Sequence, residues 1–173
     1  MSSTATPPEP TGSAVRSPSG GSGDGASFHY RALEALYASA PINGLFRSRL
    51  TIAGEGRARI AFTATPETFH AAGAAHGTIY FKMLDDAAFY AANTMVTDRF
   101  LLTTSFNLLF SRPIHGGQIV AEGRWISGRR RVLVAEARLL DPDGEEVGRG
   151  TGTFMRSHFA LSSLPGYAAQ GSR

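Results

Sequence analysis

The residues best suited to chemistry lie in one stretch, residues 70–93, with the sequence HAAGAAHGTIYFKMLDDAAFYAAN. It holds two histidines, His70 and His76, and two adjacent aspartates, Asp85 and Asp86. These side chains could bind a metal ion, act on a carbonyl group, or simply cap and solvate a helix. Zinc ligands on helices usually lie about three or four residues apart. The histidines are six residues apart and the aspartates are adjacent, so no metal site is predicted.

Gly77 and Asp85 suggest chemistry on a carbonyl group. Gly77 lies in the predicted first turn of a helix, where backbone N–H groups lack partners within the helix and the helix dipole favours negative charge. Because glycine has no Cβ, a carbonyl oxygen could approach that N–H closely. Asp85, about two turns further along, could attack the carbonyl or activate a water. The competing structural interpretation makes Asp85 and Asp86 a solvated helix edge and His76 a cap or a packed residue.

The composition predicts one globular domain in a chain of 173 residues, 42% of them hydrophobic and 18% charged. Residues 1–27 are almost wholly Ser, Thr, Pro, Gly and Ala, which predicts a disordered tail without the apolar segment of a secretory signal. The absence of cysteine excludes disulfides, a thiol nucleophile and cysteine-bound metals. A net charge of +3 is too small to indicate nucleic acid, and no apolar run is long enough to span a membrane. A cytoplasmic protein is expected.

Hydrophobic periodicity predicts a helix, two strands, a buried helix and four strands, in that order. The first helix is expected over 29–40 and ends at Pro41. The stretch 78–93 is apolar nearly all round and lacks Gly and Pro, which predicts a helix covered on most sides. Strands are predicted at 46–52, 58–64, 100–111, 117–127, 130–140 and 146–157, with a hairpin turn at DPDGE, residues 141–145. The domain is expected to cover 28–158, followed by a loose tail at 159–173.

Two of the predicted strands carry a further signal. In the last strand Gly148, Gly150 and Gly152 alternate on one face, which suggests that another backbone, that of the buried helix, approaches closely there. In the third strand, strict alternation gives one polar and one largely apolar face. The polar face suits a wet site, a subunit contact or ordinary solvent exposure. Its residues are Thr103, Ser105 and Asn107, opposite Leu102, Thr104, Phe106, Leu108 and Phe110.

The run HGTIYFKMLDDA, residues 76–87, resembles the HGGxxxxLxDxA signature of the PaaI-type acyl-CoA thioesterases, a hotdog-fold family. The resemblance extends over about residues 30–157 and includes the segments FNLLFSRPI and GRRRVLVAEARLLDPDGEEVGRGTGTF. It implies an α+β hotdog fold, in which a curled antiparallel sheet of about six strands wraps round one long central helix, with a short N-terminal helix beside it. It also implies hydrolysis of acyl-CoA thioesters to a free acid and CoA.

The resemblance assigns catalytic roles to positions in the signature. In that family the glycine after the histidine polarises the thioester carbonyl, and this position is Gly77. The helix aspartate acts as nucleophile or general base, and this position is Asp85, with Asp86 as its neighbour. His76 is the histidine of the signature and joins the candidate catalytic residues.

Other positions depart from the family pattern or match it less specifically. His70 stands where many members have an asparagine that orients carbonyl or water, and histidine can donate the same kind of hydrogen bond. Thr78 replaces the second glycine of the signature while keeping its backbone N–H. Thr103, with Thr104 adjacent, stands where a serine or threonine positions the lytic water in some members.

Arginine supplies every cation except Lys82. Arg112, Arg129 and Arg130 are candidates for binding the phosphates of CoA, although Arg129, Arg130 and Arg131 could equally form a solvated hairpin. In related proteins two chains supply the two halves of a site, which implies a homodimer, or a dimer of dimers. Neither a metal nor a redox cofactor is required, since CoA is part of the substrate, and neither nucleic acid nor membrane is an expected partner.

Two rival functions are compatible with the same fold. A hotdog protein could bind acyl-CoA without turnover, as a sensor or carrier, but no helix-turn-helix segment precedes the domain as in a repressor of that kind. A hotdog hydratase would need an Asp and His pair in an Asp-x-Asn-Pro-like segment, which this chain lacks. Hydrolysis of acyl-CoA is therefore the predicted function.

Overall fold

One helix, α3 (Gly77–Asn93), packs against a six-stranded sheet in the computed structural model, which describes residues 23–169. The strands are β1 (Arg49–Gly54), β2 (Arg57–Ala64), β3 (Arg99–Phe110), β4 (Gly117–Ser127), β5 (Val132–Leu140) and β6 (Glu146–Ala160). The other helices are α1 (Gly23–Ser39), α2 (Pro41–Phe46) and α4 (Pro165–Ala168), with 3-10 turns at Pro66–Thr68 and Leu161–Ser163. None of the helices within the described residues is long and apolar enough to cross a membrane. The predicted order of the main elements is confirmed.

The sheet is antiparallel throughout, in the order β1-β2-β4-β5-β6-β3, so β1 and β3 are its edges. Strand β2 alternates as predicted: Ala58, Ile60, Phe62 and Ala64 are buried, while Arg57 and Arg59 are exposed. The buried face of the sheet and α3 share one hydrophobic core. The architecture is thus a single antiparallel sheet around a central helix, as expected.

Small residues let α3 lie very close to the sheet. Ala87, Ala88, Ala91 and Ala92 are fully buried on the helix. A Cβ built on Gly123 of β4 would lie 1.9 Å from the carbonyl oxygen of Ala87 and 2.8 Å from the backbone nitrogen of Ala88. Since these are backbone atoms in the middle of a helix, they cannot rotate away, and only glycine fits at this position.

The alternating glycines of β6 serve a different purpose from the predicted one. Cβ atoms on Gly150 and Gly152 would lie 2.3 Å and 2.6 Å from the ring of Phe106 on the neighbouring strand, and one on Gly148 would lie 3.1 Å from the ring of Tyr80. The expectation that the helix backbone approaches these glycines is therefore wrong. They make room for aromatic rings on the helix side of the sheet, while the close approach of the helix backbone occurs at Gly123.

A β-bulge in β3 overturns the predicted division of that strand into a polar and an apolar face. The pairing with β6 runs from Thr103 opposite Phe154 to Ser105 opposite Thr153, which leaves Thr104 as an extra residue. An inserted residue switches the side on which the following residues point. Thr103 consequently lies on the helix side together with Phe106, and not opposite to it as strict alternation predicted.

The two ends of the described chain pack together, contrary to the prediction for both tails. Most of the predicted disordered tail, residues 1–22, lies outside the described residues, but 23–27 form the start of α1. Beyond residue 158, Leu161 and Tyr167 are buried. The Tyr167 hydroxyl lies 2.7 Å from Nδ1 of His29 on α1, so residues 159–169 are not a loose tail. Burial of Leu161 and Tyr167 holds this segment against the domain.

We expect Gly123→Ala to lower the free energy of unfolding by about 3 kcal/mol or more, because its Cβ would overlap the backbone of α3. The matched control is Gly44→Ala in α2, where no atom lies within 4 Å of the added Cβ and helix propensity favours alanine by less than about 1 kcal/mol. Chemical denaturation of both variants measures the difference. Equal stability of Gly123→Ala and the wild type would contradict the close approach described above.

Candidate active site

The start of α3 presents an unpaired backbone donor. His76 is the N-cap, and its Nδ1 accepts a hydrogen bond from the Thr78 N–H at 3.2 Å. Gly77 is the first helical residue, and its N–H makes no hydrogen bond within residues 23–169. A Cβ on Gly77 would lie 3.3 Å from the ring of Phe110. The Gly77 N–H is thus available to an external acceptor, beside an aromatic ring that sequence reasoning did not connect with it.

His70 lies close to this donor. A cavity of about 350 Å³ is lined by both His70 and Gly77, together with Tyr80, Phe110 and Arg112. Nδ1 of His70 accepts a hydrogen bond from the Ala72 N–H at 3.1 Å, so in the neutral ring the proton is on Nε2. His70 therefore has an N–H free to donate, which is the property it would need to replace an amide.

Asp85 accepts a hydrogen bond from Thr103, the residue that the bulge in β3 turns towards the helix. The Thr103 hydroxyl donates to Asp85, with Oγ1 at 3.0 Å from Oδ1 and 3.3 Å from Oδ2. Burial raises the pKa of Asp85 to about 6, and the charge of Asp86 acts in the same direction. The hydrogen bond from Thr103 and the charge of Lys82 both lower the pKa and offset part of this rise. A carboxylate with such a pKa is a suitable nucleophile or general base near neutral pH.

Asp86, in contrast, forms part of the packing between α3 and α2. It forms an ion pair with Lys82 one turn earlier, and Lys82 Nζ also lies 2.6 Å from Oδ1 of Asn43. The ammonium group lies over the rings of Tyr37 and Phe46, with 5.3 Å and 5.6 Å to the ring centroids. Burial raises the pKa of Asp86, and Lys82 opposes that shift. The i,i+4 spacing of the only lysine and Asp86 could have revealed this pair in the sequence.

The two principal candidates lie too far apart to act on one atom within one chain. Gly77 and Asp85 are separated by eight residues of regular helix, which corresponds to about 12 Å along its axis. A carbonyl group that accepts from the Gly77 N–H cannot reach Asp85 of the same chain. The described chain therefore does not bring Gly77 and Asp85 together at one point.

The surface beside Gly77 and Asp85 is apolar and exposed. Phe81 on α3 is 46% exposed, and Leu109 and Phe110 on β3 are 64% and 54% exposed. The ring of Phe81 packs against that of Phe106, with 5.7 Å between centroids. Large apolar side chains grouped on an edge strand and the neighbouring helix are typical of a protein interface.

The candidate CoA-binding arginines lie at opposite ends of α3. Arg112 is near the start of the helix, because its carbonyl oxygen accepts from the hydroxyl of Tyr80, and its guanidinium group lies 3.5 Å from Glu145. Arg129 lies near the end of the helix, stacked on Trp125 and 3.4 Å from Glu55. These three predicted residues, Arg112, Arg129 and Arg130, are all exposed, and Arg112 cannot share one phosphate with the other two within one chain.

Thr104, the neighbour of Thr103, does not contact Asp85. Thr104 turns away from the helix, and its hydroxyl lies 3.0 Å from the carbonyl oxygen of Thr153. Within residues 23–169, the histidines and aspartates form no group of three that could hold a metal ion.

Comparison with known proteins agrees with this fold. Residues 72–148 match the sequence profile described as the Thioesterase superfamily. A protein of Saccharolobus solfataricus described as an esterase is 25% identical over 101 residues, which cover 58% of this chain and 67% of that protein. The E. coli PaaI protein of the phenylacetic acid degradation operon superposes with a TM-score of 0.72 at 18% identity, covering 78% of this chain and 97% of its own.

A further solved structure agrees with the same assignment. A thioesterase family protein from Silicibacter pomeroyi superposes with a TM-score of 0.65 at 23% identity, covering 72% of this chain and 96% of its own. These similarities confirm the hotdog fold and the predicted resemblance to PaaI-type proteins. They support thioester hydrolysis as the general class of activity.

We expect Asp85→Asn to stabilise the fold at pH 8 by about 1–3 kcal/mol. The pKa of Asp85 in the folded chain, about 6, lies above that of an unfolded chain, so folding disfavours the ionised form. The cost of that ionisation is absent below about pH 4, grows as the pH rises to about 6, and stays constant above it. Thermal unfolding at pH 4, 6 and 8 checks the trend; a stability difference that does not vary with pH would contradict it.

Proposed function

We propose that this PaaI-type hotdog protein hydrolyses acyl-CoA thioesters, with the substrate carbonyl at Gly77 and the attack directed by Asp85. The observation that carries the proposal is the partly buried Asp85 carboxylate, which Thr103 orients and whose pKa of about 6 leaves it ionised at neutral pH. A partly desolvated carboxylate is more basic than one in water, and it remains available to attack a carbonyl or to accept a proton from water. The fold and the sequence match to the thioesterases support the same class of reaction.

In the proposed mechanism the thioester oxygen accepts a hydrogen bond from the Gly77 N–H, and Nε2–H of His70 is a second donor. Negative charge that develops on this oxygen is stabilised by both donors and by the start of the helix. Asp85 either bonds to the carbonyl carbon, expelling CoA thiolate and leaving an anhydride that water hydrolyses, or takes a proton from a water that attacks the same carbon. In the second route the proton returns to the thiolate of CoA. Thr103 orients the carboxylate in both routes.

The proposed site is completed by a second copy of the chain. Because Gly77 and Asp85 lie about 12 Å apart on one helix, the carbonyl at Gly77 of one chain is attacked by Asp85 of the other. Two antiparallel α3 helices would bring each start of the helix to the other chain's aspartate. The exposed edge of β3 and the exposed Phe81 and Phe110 supply a surface for such a dimer. In the dimer the arginines of one chain's hairpin approach Arg112 of the other.

We expect Asp85→Asn to lower kcat/KM for acyl-CoA by at least about 10²-fold, because the variant has no ionisable group at the attacking position. In the wild type kcat/KM should fall below about pH 6, where Asp85 becomes protonated. The protein has no cysteine, so a thiol-reactive dye reports released CoA without a protein background.

The control for this experiment is Asp86→Asn. It removes the acidic partner of Lys82 and leaves Asp85 with its hydrogen bond from Thr103 in place, so activity per folded protein should persist. Removing the charge of Asp86 should also move the acid limb of the pH profile to lower pH, since that charge raises the pKa of Asp85. Full activity of Asp85→Asn would overturn the assignment. Absence of turnover with retained binding would favour a sensor or carrier.

A second prediction concerns Gly77→Pro, which removes one N–H. The Cβ that it adds meets the ring of Phe110, but Gly77→Ala adds the same Cβ, so comparing the two variants isolates the loss of the N–H. Proline fits the first position of a helix, and His76 already has the extended backbone (φ −64°, ψ 148°) that a following proline requires. Loss of the carbonyl donor should reduce kcat by about 10²–10³-fold. Gly77→Ala retains the N–H, so its loss of activity should be much smaller.

Mixed dimers then test whether the site is shared. Gly77→Pro and Asp85→Asn chains, each inactive alone, should together form dimers with one intact site, and regain up to about half of the activity per such dimer. Failure to regain activity in purified mixed dimers would place both residues of a site in one chain.

A further inference from the structure

We propose that the acyl group carries an anionic end, such as a carboxylate, and that Arg47 recognises it. This inference rests on the proposed function, because it concerns the acyl part of the same thioester substrate.

A large cavity begins beside the proposed carbonyl site. It has a volume of about 860 Å³ and is lined at one side by His76, Thr78 and Ile79 of the first turn of α3. The cavity shared by His70 and Gly77 lies on the opposite side of this turn, because Gly77 and Tyr80 point away from Thr78 and Ile79 on the helix. A thioester held at Gly77 could therefore extend its CoA arm past His70 and Arg112, and its acyl group into the larger cavity.

The walls of the larger cavity are divided between apolar and polar groups. Phe46, Phe62, Phe69 and Ile79 supply apolar surface, which suits a hydrocarbon body. Four threonines, His76 and two charged residues, Arg47 and Glu67, supply the polar part; the threonines are Thr63, Thr65, Thr68 and Thr78. A purely aliphatic acyl group would leave this polar part unmatched.

Arg47 is held in a conformation that its residue type disfavours. It caps α2 with φ 55° and ψ 30°, and it is the only residue other than glycine with positive φ within 23–169. Glycine is the preferred residue at such a left-handed cap, because a side chain crowds its own backbone there. Strained positions occupied by a large functional side chain cluster at ligand sites, so the side chain of Arg47 is the feature to explain.

The guanidinium group of Arg47 has no acidic partner in the described part of the chain. Among residues 23–169, no carboxylate lies within 4.0 Å of it, whereas eight other ion pairs are formed. Its planar donors match a carboxylate in a bidentate arrangement.

Glu67 does not cancel this charge. It is adjacent to Thr68, whose carbonyl oxygen accepts from the His76 N–H at 2.9 Å, so Glu67 lies close to the positive end of the α3 dipole. Arg47 lies at the C-terminal end of α2, where a helix dipole favours a cation, but α2 has only six residues and its dipole is correspondingly weak. The cavity therefore favours an anion at Arg47 over a cation at Glu67.

The test compares acyl-CoA pairs of equal length, ending in a methyl group or in a carboxylate: butanoyl with succinyl, hexanoyl with adipoyl, and octanoyl with suberoyl. For at least one pair, we expect kcat/KM of the wild type to favour the carboxylate by at least about tenfold, the usual effect of a charge-assisted hydrogen bond. Arg47→Gln should reduce this preference at least about tenfold, and Arg47→Lys should retain part of it. Arg47→Gly removes the side chain together with the backbone strain. A loss of the carboxylate preference in this variant therefore reflects recognition and not a less stable fold.

Three results would overturn the inference. One is a preference for methyl-ended substrates throughout the series. Another is an equal loss for all substrates in Arg47→Gln, which would show that Arg47 binds the CoA part. The third is a preference that Glu67→Gln abolishes and Arg47→Gln does not.

The proposed function and this inference fail in different ways. If no acyl-CoA is hydrolysed, the proposed function is wrong, and the inference is decided by the Kd values of the same three acyl-CoA pairs for Asp85→Asn. Tighter binding of the carboxylate-ended member of at least one pair, lost on adding Arg47→Gln, supports the inference. Equal Kd values within all three pairs overturn it.

Discussion

The close contact between the α3 backbone and β4 at Gly123 is the constraint on which the rest of the structure depends. Because a Cβ at Gly123 would overlap the carbonyl oxygen of Ala87, only this pairing of glycine with alanine-rich helix lets the sheet cover the helix. Asp85 and Asp86 directly precede Ala87 on this covered helix, and both side chains are only partly exposed. Burial is the largest cause of the raised pKa of each carboxyl group, so packing and reactivity have one physical origin.

Two adjacent and chemically identical side chains acquire different properties from their neighbours. Asp86 faces Lys82 and is neutralised by an ion pair that also joins α3 to α2. Asp85 faces only the hydroxyl of Thr103, which orients the carboxylate without neutralising it. A reactive carboxylate requires a partner of this second kind, since a full counter-charge would lower its pKa and its basicity. The Lys82–Asp86 pair ties α3, the helix that carries Asp85, to α2.

The rigidity of an α-helix determines how the site is assembled. Gly77 and Asp85 are separated by a fixed distance that no loop movement shortens, and this is longer than one carbonyl group can span. A second chain offers the simplest way to bring a donor and a carboxylate together. The first turn of α3 separates two cavities, and in the proposed complex the substrate would extend in both directions from a single backbone N–H.

The sequence by itself determined the features that depend on neighbouring residues along the chain. The histidine cap, the start of α3 at the His-Gly step, the alternation in β2 and the order of the elements follow from local patterns of this kind, and so does the resemblance around Asp85. The tertiary structure alone decided features that depend on distant residues. The bulge that turns Thr103 towards Asp85 is set by pairing with β6, and burial of Tyr167 depends on α1. Backbone contact at Gly123 and the separate roles of two adjacent aspartates likewise arise only when distant segments pack together, which no local pattern records.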